Sequence, residues 1–177
     1  MVQEAPLEQT ESGLVPKGEG LFVVNAKEAR WLEHKAFGSG TTFEGEPEFQ
    51  QLGINIGVLE PGQPACLYHR ENAQEDFLVL FGECVLLIEG EERALKAWDF
   101  VHCPPWTDHV LVGAGSGPCA ILAVGARGNE EIVYPVSDLA RGHGAGAEQE
   151  TPDPKEAYAP FGRPSQAPYR GQLDGPS

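Results

Sequence analysis

Between Gly53 and Arg127 the sequence is a succession of short apolar runs, each closed by Gly, Pro or acidic residues. That punctuation decides most of what the chain can become. The runs INIGVL, FLVLFGECVLLIEG, the stretch from Ala94 to Cys103, HVLVGAG and CAILAVGAR are rich in Val, Ile and Leu and regularly spaced. Such a pattern predicts an all-β domain, an antiparallel sandwich or barrel. Glu89-Gly90-Glu91-Glu92 reads as a hairpin tip, and Gly113 to Pro118 as another.

With 177 residues the chain is long enough for one domain with a substantial core, but short for two. Residues 1–20 are polar and turn-rich and read as a flexible, poorly packed arm. Phe22-Val23-Val24 opens the first strand-like run. The stretch from Ala26 to Phe37, with Trp31 and His34, fits either a short helical turn or an irregular strand. The barrel domain is expected over 21–141. From 142 to 177 Pro, Gly and charge leave too little apolar surface for a core. Tyr158, Phe161 and Tyr169 are the side chains able to pin this tail onto the barrel or onto a second subunit.

A formal charge of −15 argues against a nucleic-acid partner, which needs a basic face, and against an anionic membrane surface. No apolar run approaches the roughly 18–20 residues of a membrane span. The segment MVQEAPLEQTESG lacks the basic and apolar regions of a signal peptide, so the expected location is cytoplasmic. Cys66, Cys84, Cys103 and Cys119 form no CxxC pair and lie in or beside apolar runs, which predicts reduced, buried thiols. Cys103 is the one nearest in sequence to the residues considered next.

The segment Pro61–His109 concentrates the chemistry. His69, Glu71 and Glu75 sit near the start of a strand pattern, and His109 follows a Pro-rich turn about one hairpin later. Imidazole and carboxylate donors on neighbouring strands can converge on one metal ion, whereas ligands crowded into one loop would suggest a zinc knuckle. His102 can face the lumen as a ligand or base, or lie on the outer face as a structural residue. Gln74 is placed to donate to a ligand carboxylate. His34 and His143 lie outside this segment.

The same segment resembles the two linked motifs of the cupin superfamily. It has a Pro-Gly turn, a His/Glu cluster ending in Glu75-x6-Gly82, a hairpin, and then Pro104-x-x-x-x-His109. The resemblance implies a double-stranded β-helix, or jelly-roll barrel, and a homodimer. It also implies one divalent transition metal ion (Fe, Mn, Zn or Ni) held by His69, Glu71, Glu75 and His109. The usual first motif has His-x-His before its Glu. Counting back from Glu75 with three intervening residues gives His69 and Glu71, so a carboxylate replaces the second His. Counting with four gives Tyr68 and Arg70, as the distance from Gly62 favours. The first register supplies two competent donors on one strand face, and leaves Tyr68 and Arg70 on the other. Trp98 and Trp106 stand where the pattern usually has Gly; Trp106 either narrows access or stacks on a ligand at the barrel mouth, or only fills space at a loop. For function the resemblance implies a metal-dependent enzyme of oxygenase or isomerase type on a small polar organic molecule. The alternatives are a non-catalytic small-molecule-binding cupin and a degenerate scaffold for protein interaction. An open pocket at the mouth favours the enzyme, and one plugged by Trp106 favours the scaffold. No catalytic residue is assigned.

Overall fold

The computed structural model describes residues 4–46, 48–128 and 131–175. Strands β1 (Leu7–Thr10) and β2 (Gly13–Pro16) form a hairpin where the sequence suggested a loose arm. Ala5, Ser12 and Val15 are buried, and Leu14 hydrogen-bonds Glu28 and Arg30 through its backbone. Two apolar side chains and a set of backbone partners order a segment whose composition alone looked polar. Residues 1–3 of that segment, and 176–177 of the tail, lie outside the described residues.

The barrel follows. β3 (Trp31–His34) and β4 (Gly38–Thr41) precede the long β5 (Leu52–Leu59), the two-residue β6 (Arg70–Glu71) and β7 (Glu75–Phe81). Then come β8 (Glu83–Ile88), β9 (Glu91–Lys96), β10 (Phe100–Cys103), β11 (His109–Ala114), β12 (Cys119–Ala126) and β13 (Ile132–Val133). The ambiguous stretch around Trp31 is therefore strand, and Trp31 itself is fully buried. A seven-stranded sheet runs β10-β7-β12-β5-β4-β3 and ends on β14 (Ser165–Ala167), from the tail. It faces a three-stranded sheet of order β11-β8-β9, and β13 pairs with β6. All these pairs are antiparallel.

The turns either stay within a sheet or cross between the two. Glu89-Gly90 is the hairpin tip expected, between paired β8 and β9. The Gly113–Pro118 turn is not a hairpin: β11 pairs with β8 and β12 with β5 and β7, so the chain crosses between layers there. Gly82 makes the matching crossing from β7 to β8. Its φ is +76°, and a Cβ there would meet the Pro118 carbonyl oxygen at 2.4 Å. Only Gly fits such a position.

Strand alternation fills the space between the sheets. Leu59, Val79, Leu86, Leu111, Cys119 and Ile121 form one buried cluster, each large aliphatic contributing about 1.5–3 kcal/mol by leaving water. β11 is buried on both faces, because Val110 and Val112 pack outward against Tyr68, Ala140 and Ala145. Ala140 belongs to α1 (Asp138–Gly142), capped by Ser137 Oγ. The tail continues through α2 (Pro154–Ala157), and packs Tyr158 and Phe161 on Phe37, while Tyr169 contacts Trp31. Among the described residues no helix is long and apolar enough to cross a membrane.

Candidate metal centre

His69 and His109 are opposed across an isolated antiparallel bridge. His109 N–H donates to the His69 carbonyl at 2.8 Å and His69 N–H to the His109 carbonyl at 3.2 Å. Directly opposed residues project from the same face of the pair, and the two imidazole centroids are 4.9 Å apart. Glu75 opens β7 on the facing sheet, in register with Cys103 and Gly125. Its Oε2 lies 3.0 Å from His109 Nε2 and 3.4 Å from His69 Nε2. One donor atom from each of the three residues lies within 4.8 Å of the others.

The backbone fixes the tautomers. Each ring donates its Nδ1–H to the carbonyl two residues earlier, His69 to Leu67 at 2.8 Å and His109 to Thr107 at 2.9 Å. In the neutral rings this leaves both Nε2 lone pairs aimed at the Glu75 carboxylate. Although His109 Nε2 and Glu75 Oε2 are close, neither has a hydrogen-bond partner of proper geometry, and both are buried. Buried acceptors facing one another are costly unless a cation sits between them. Two imidazoles oriented through Nδ1 and one carboxylate are the donor set of a divalent transition metal. The residues therefore fit the ion that the sequence pattern implies.

Electrostatics agree. Burial works to raise the Glu75 carboxyl, but the facing His109 and His69 outweigh it and hold it down to about 2. Burial also disfavours the His69 cation, yet Cys66 and Glu75 overcome that and lift its pKa well above the ordinary histidine value. A site that favours positive charge at this point favours a metal cation there too.

Glu71, the fourth expected ligand, does not join the three-residue group. It lines the same cavity as Glu75, and its carbonyl accepts from Trp106 N–H at 2.6 Å. Tyr68 and Arg70 point elsewhere. Tyr68 is buried against α1 with its Oη accepting from Gly90 N–H, while Arg70 pairs with Asp108 at 3.0 Å. The His69 register thus brings donors together and the Tyr68 register does not. His102 lies on the outer face, exposed and 2.7 Å from Asp76. Gln74 donates to Asp76 rather than to a ligand, and His143 meets Glu92.

Two neighbours escaped the sequence reading. Cys66, not Cys103, is the thiol beside the centre: its Sγ lies 3.7 Å from His69 Nδ1, whereas Cys103 is sealed in the core and burial pushes its thiol up to about 12. Tyr134, just after β13, sets its ring 6.0 Å from that of His69, and burial raises its phenol to about 12. Spacing to His69 was the only available signal for Cys66, and Tyr134 had none. Beyond Glu75 opens a cavity of about 720 Å³. Its walls include Asn55, Glu71, Trp106, Gly125, Glu131 and Tyr134. Trp106 stands in the wall and does not plug the opening. Arg127 also lines it, but its guanidinium is held by the buried Glu44 carboxylate at 2.7 and 3.1 Å.

Comparisons with known proteins agree with this architecture. The family model described as "Cupin domain" matches residues 55–125. A search of curated proteins finds no match. Among solved structures, a sugar phosphate isomerase of the cupin superfamily from Silicibacter pomeroyi is 25% identical (TM-score 0.49), covering 60% of this chain and 66% of that one, just under two thirds of its length. A predicted oxalate decarboxylase from Thermotoga maritima is 20% identical (TM-score 0.53), covering 59% and 98%. The polyketide cyclase RemF from Streptomyces resistomycificus is 14% identical (TM-score 0.52), covering 60% and 79%. The last two share the fold. The segment matched by the family model supplies β5 through most of β12, including Glu75 and both histidines, and this chain carries a cupin domain.

Proposed function

We propose that the protein is a metal-dependent enzyme, of isomerase or oxygenase type, acting on a small polar molecule bound in the cavity beside Glu75. His69, Glu75 and His109 are its ligands, and Fe, Mn, Zn or Ni suits the donor set. The observation that carries this reading is the convergence of two imidazole Nε2 atoms on a buried carboxylate, with His109 Nε2 and Glu75 Oε2 left without a hydrogen bond. Three protein ligands leave positions for substrate, and the bound ion would supply Lewis-acid or redox chemistry there. Glu71 is the group best situated on the cavity wall to exchange a proton with substrate, or to approach the ion as a fourth donor. Tyr134 and Trp106 offer it aromatic walls.

The cavity favours an uncharged or cationic substrate over a sugar phosphate or an oxalate-like dianion. Glu71, Glu75 and Glu131 line it, and the one cation among its described walls is neutralised by Glu44. Elemental analysis of protein purified without chelator tests the central claim: about one divalent transition metal per chain is expected. Failure of Mn, Fe, Zn, Ni and Co to fill the site on reconstitution would overturn it.

We further propose a cytoplasmic homodimer joined through the outer face of the large sheet. Phe100 is 64% exposed and Trp98 73% exposed, and Phe100 stands in register with Leu78 and Leu122. An apolar strip on an edge strand needs covering. Phe100→Glu should convert the dimer to monomer in sedimentation. A monomeric parent chain would sink the proposal.

A further inference from the structure

A second cavity, of about 550 Å³, takes Lys155 from α2, whereas the acidic one takes Pro154. Its floor is aromatic. Phe37, Tyr158 and Phe161 form a cluster with ring centroids 4.8–6.3 Å apart. One wall is locked in place by His34, which accepts from Ala36 N–H at Nδ1 and so donates from Nε2 to the Gly162 carbonyl at 2.7 Å. That bond ties the tail to β3 and fixes the shape of the cleft before any ligand arrives.

The charge at its rim is unusual for this chain. The protein has 27 acidic residues against 12 Lys and Arg, yet Lys155 and Arg163 line the cleft and no acidic residue does. Neither cation forms an ion pair with a described residue. An aromatic floor with two available cations at the edge is the complement of a flat apolar body bearing one carboxylate. Its volume is within the range of small-molecule sites. The acidic cavity repels that same ligand, so the two cavities select opposite charge.

We propose that this cleft binds a small aromatic monocarboxylate, with its ring against Phe37, Tyr158 and Phe161 and its carboxylate between Lys155 and Arg163. The cleft adjoins the metal centre through Cys66, which lines it and lies 3.7 Å from His69 Nδ1, and the proposal does not depend on how that centre is read.

Phenylacetate is a suitable probe, with phenylacetamide as its uncharged counterpart. Titration of the full chain, followed by backbone amide NMR, should give saturable shifts at Ala65, Ala159 and Gly162. Phenylacetamide should bind at least about tenfold more weakly, the scale of a lost charge-assisted contact. Lys155→Gln with Arg163→Gln should lose a similar factor for the acid and little for the amide. Ala65→Phe, which fills the cleft, should abolish the shifts without lowering the melting temperature. The same titration on His109→Gln should be unchanged, because metal is not involved. Absence of shifts, equal affinity for acid and amide, or shifts confined to Glu71, Gly125 and Ile132 would each overturn the proposal.

Discussion

The two ends of the barrel are built from the same strands and have opposite chemistry. Followed inward-facing position by position, β7 reads Glu75, Phe77, Val79, and β11 reads His109, Leu111. β5 reads Asn55, Gly57, Leu59, and β12 reads Gly125, Ala123, Ile121, Cys119. At one end large apolar side chains close the space between sheets. At the other, small residues leave it open and the polar donors converge. A strand is stiff over this length, so packing at the closed end fixes the geometry of the donors a few residues away. The comparison separates two jobs, holding the fold and holding the proposed ion, along single strands.

Substitutions that uncouple those jobs test it. His109→Gln keeps side-chain bulk but removes a donor. Metal affinity should fall by more than about 100-fold, since even losses behind the ligands cost about 10–100-fold. In chelator, the variant should melt close to its parent. Leu86→Ala should do the reverse, lowering stability by about 2–5 kcal/mol in denaturant titrations while metal stoichiometry of the folded protein stays the same. If the ligand variant unfolded in chelator and Leu86→Ala did not, the division between the two ends would be wrong.

Thiols report the same contrast at smaller scale. Cys84 and Cys119 are buried in the closed end, Cys103 is buried in register with Glu75, and Cys66 is partly exposed beside the donors. Thiolate is the reactive form. The hydrogen bond to Cys119, with burial, raises Cys84, and burial lifts Cys103 to about 12. With iodoacetamide at pH 8, Cys66 should be modified first, and the other three only after denaturant is added. Residue-resolved mass spectrometry reads this directly. Rapid modification of Cys103 in the folded protein would contradict a sealed core.

Much of this was legible in the sequence, for reasons that differ by residue. The strands of the cupin domain announce themselves because Val, Ile and Leu alternate between Gly and Pro. His69, Glu75 and His109 are singled out by the spacing of the two cupin-like motifs, and period two pairs only His69 with Glu71. Glu71 shares that period with His69, but it sits on the short β6 at the rim, where pairing with β13 holds its backbone away from the other donors. The N-terminal hairpin was invisible because its order comes from contacts with Glu28, Arg30 and Gln166. Long-range contacts of that kind leave no local pattern. Likewise, Gly113–Pro118 has turn composition, and composition does not say which sheet the next strand joins.

Trp106 gives the smallest and sharpest test. Its φ of +67° is left-handed, which costs a residue with a Cβ about 1–2 kcal/mol. Glycine would relieve that cost but lose about 0.5–1 kcal/mol through the greater freedom of the unfolded chain. Trp106 is 46% exposed, so only part of the side chain leaves water. Trp106→Gly should therefore change stability by no more than about 1 kcal/mol. It leaves His69, Glu75 and His109 untouched, so metal affinity should also hold. What should change is the cavity, which loses one aromatic wall. If the indole contacts substrate, KM should rise in Trp106→Gly and be largely restored in Trp106→Phe. A large loss of stability would instead make Trp106 a structural residue and extend the fold-holding role to the open end of the barrel.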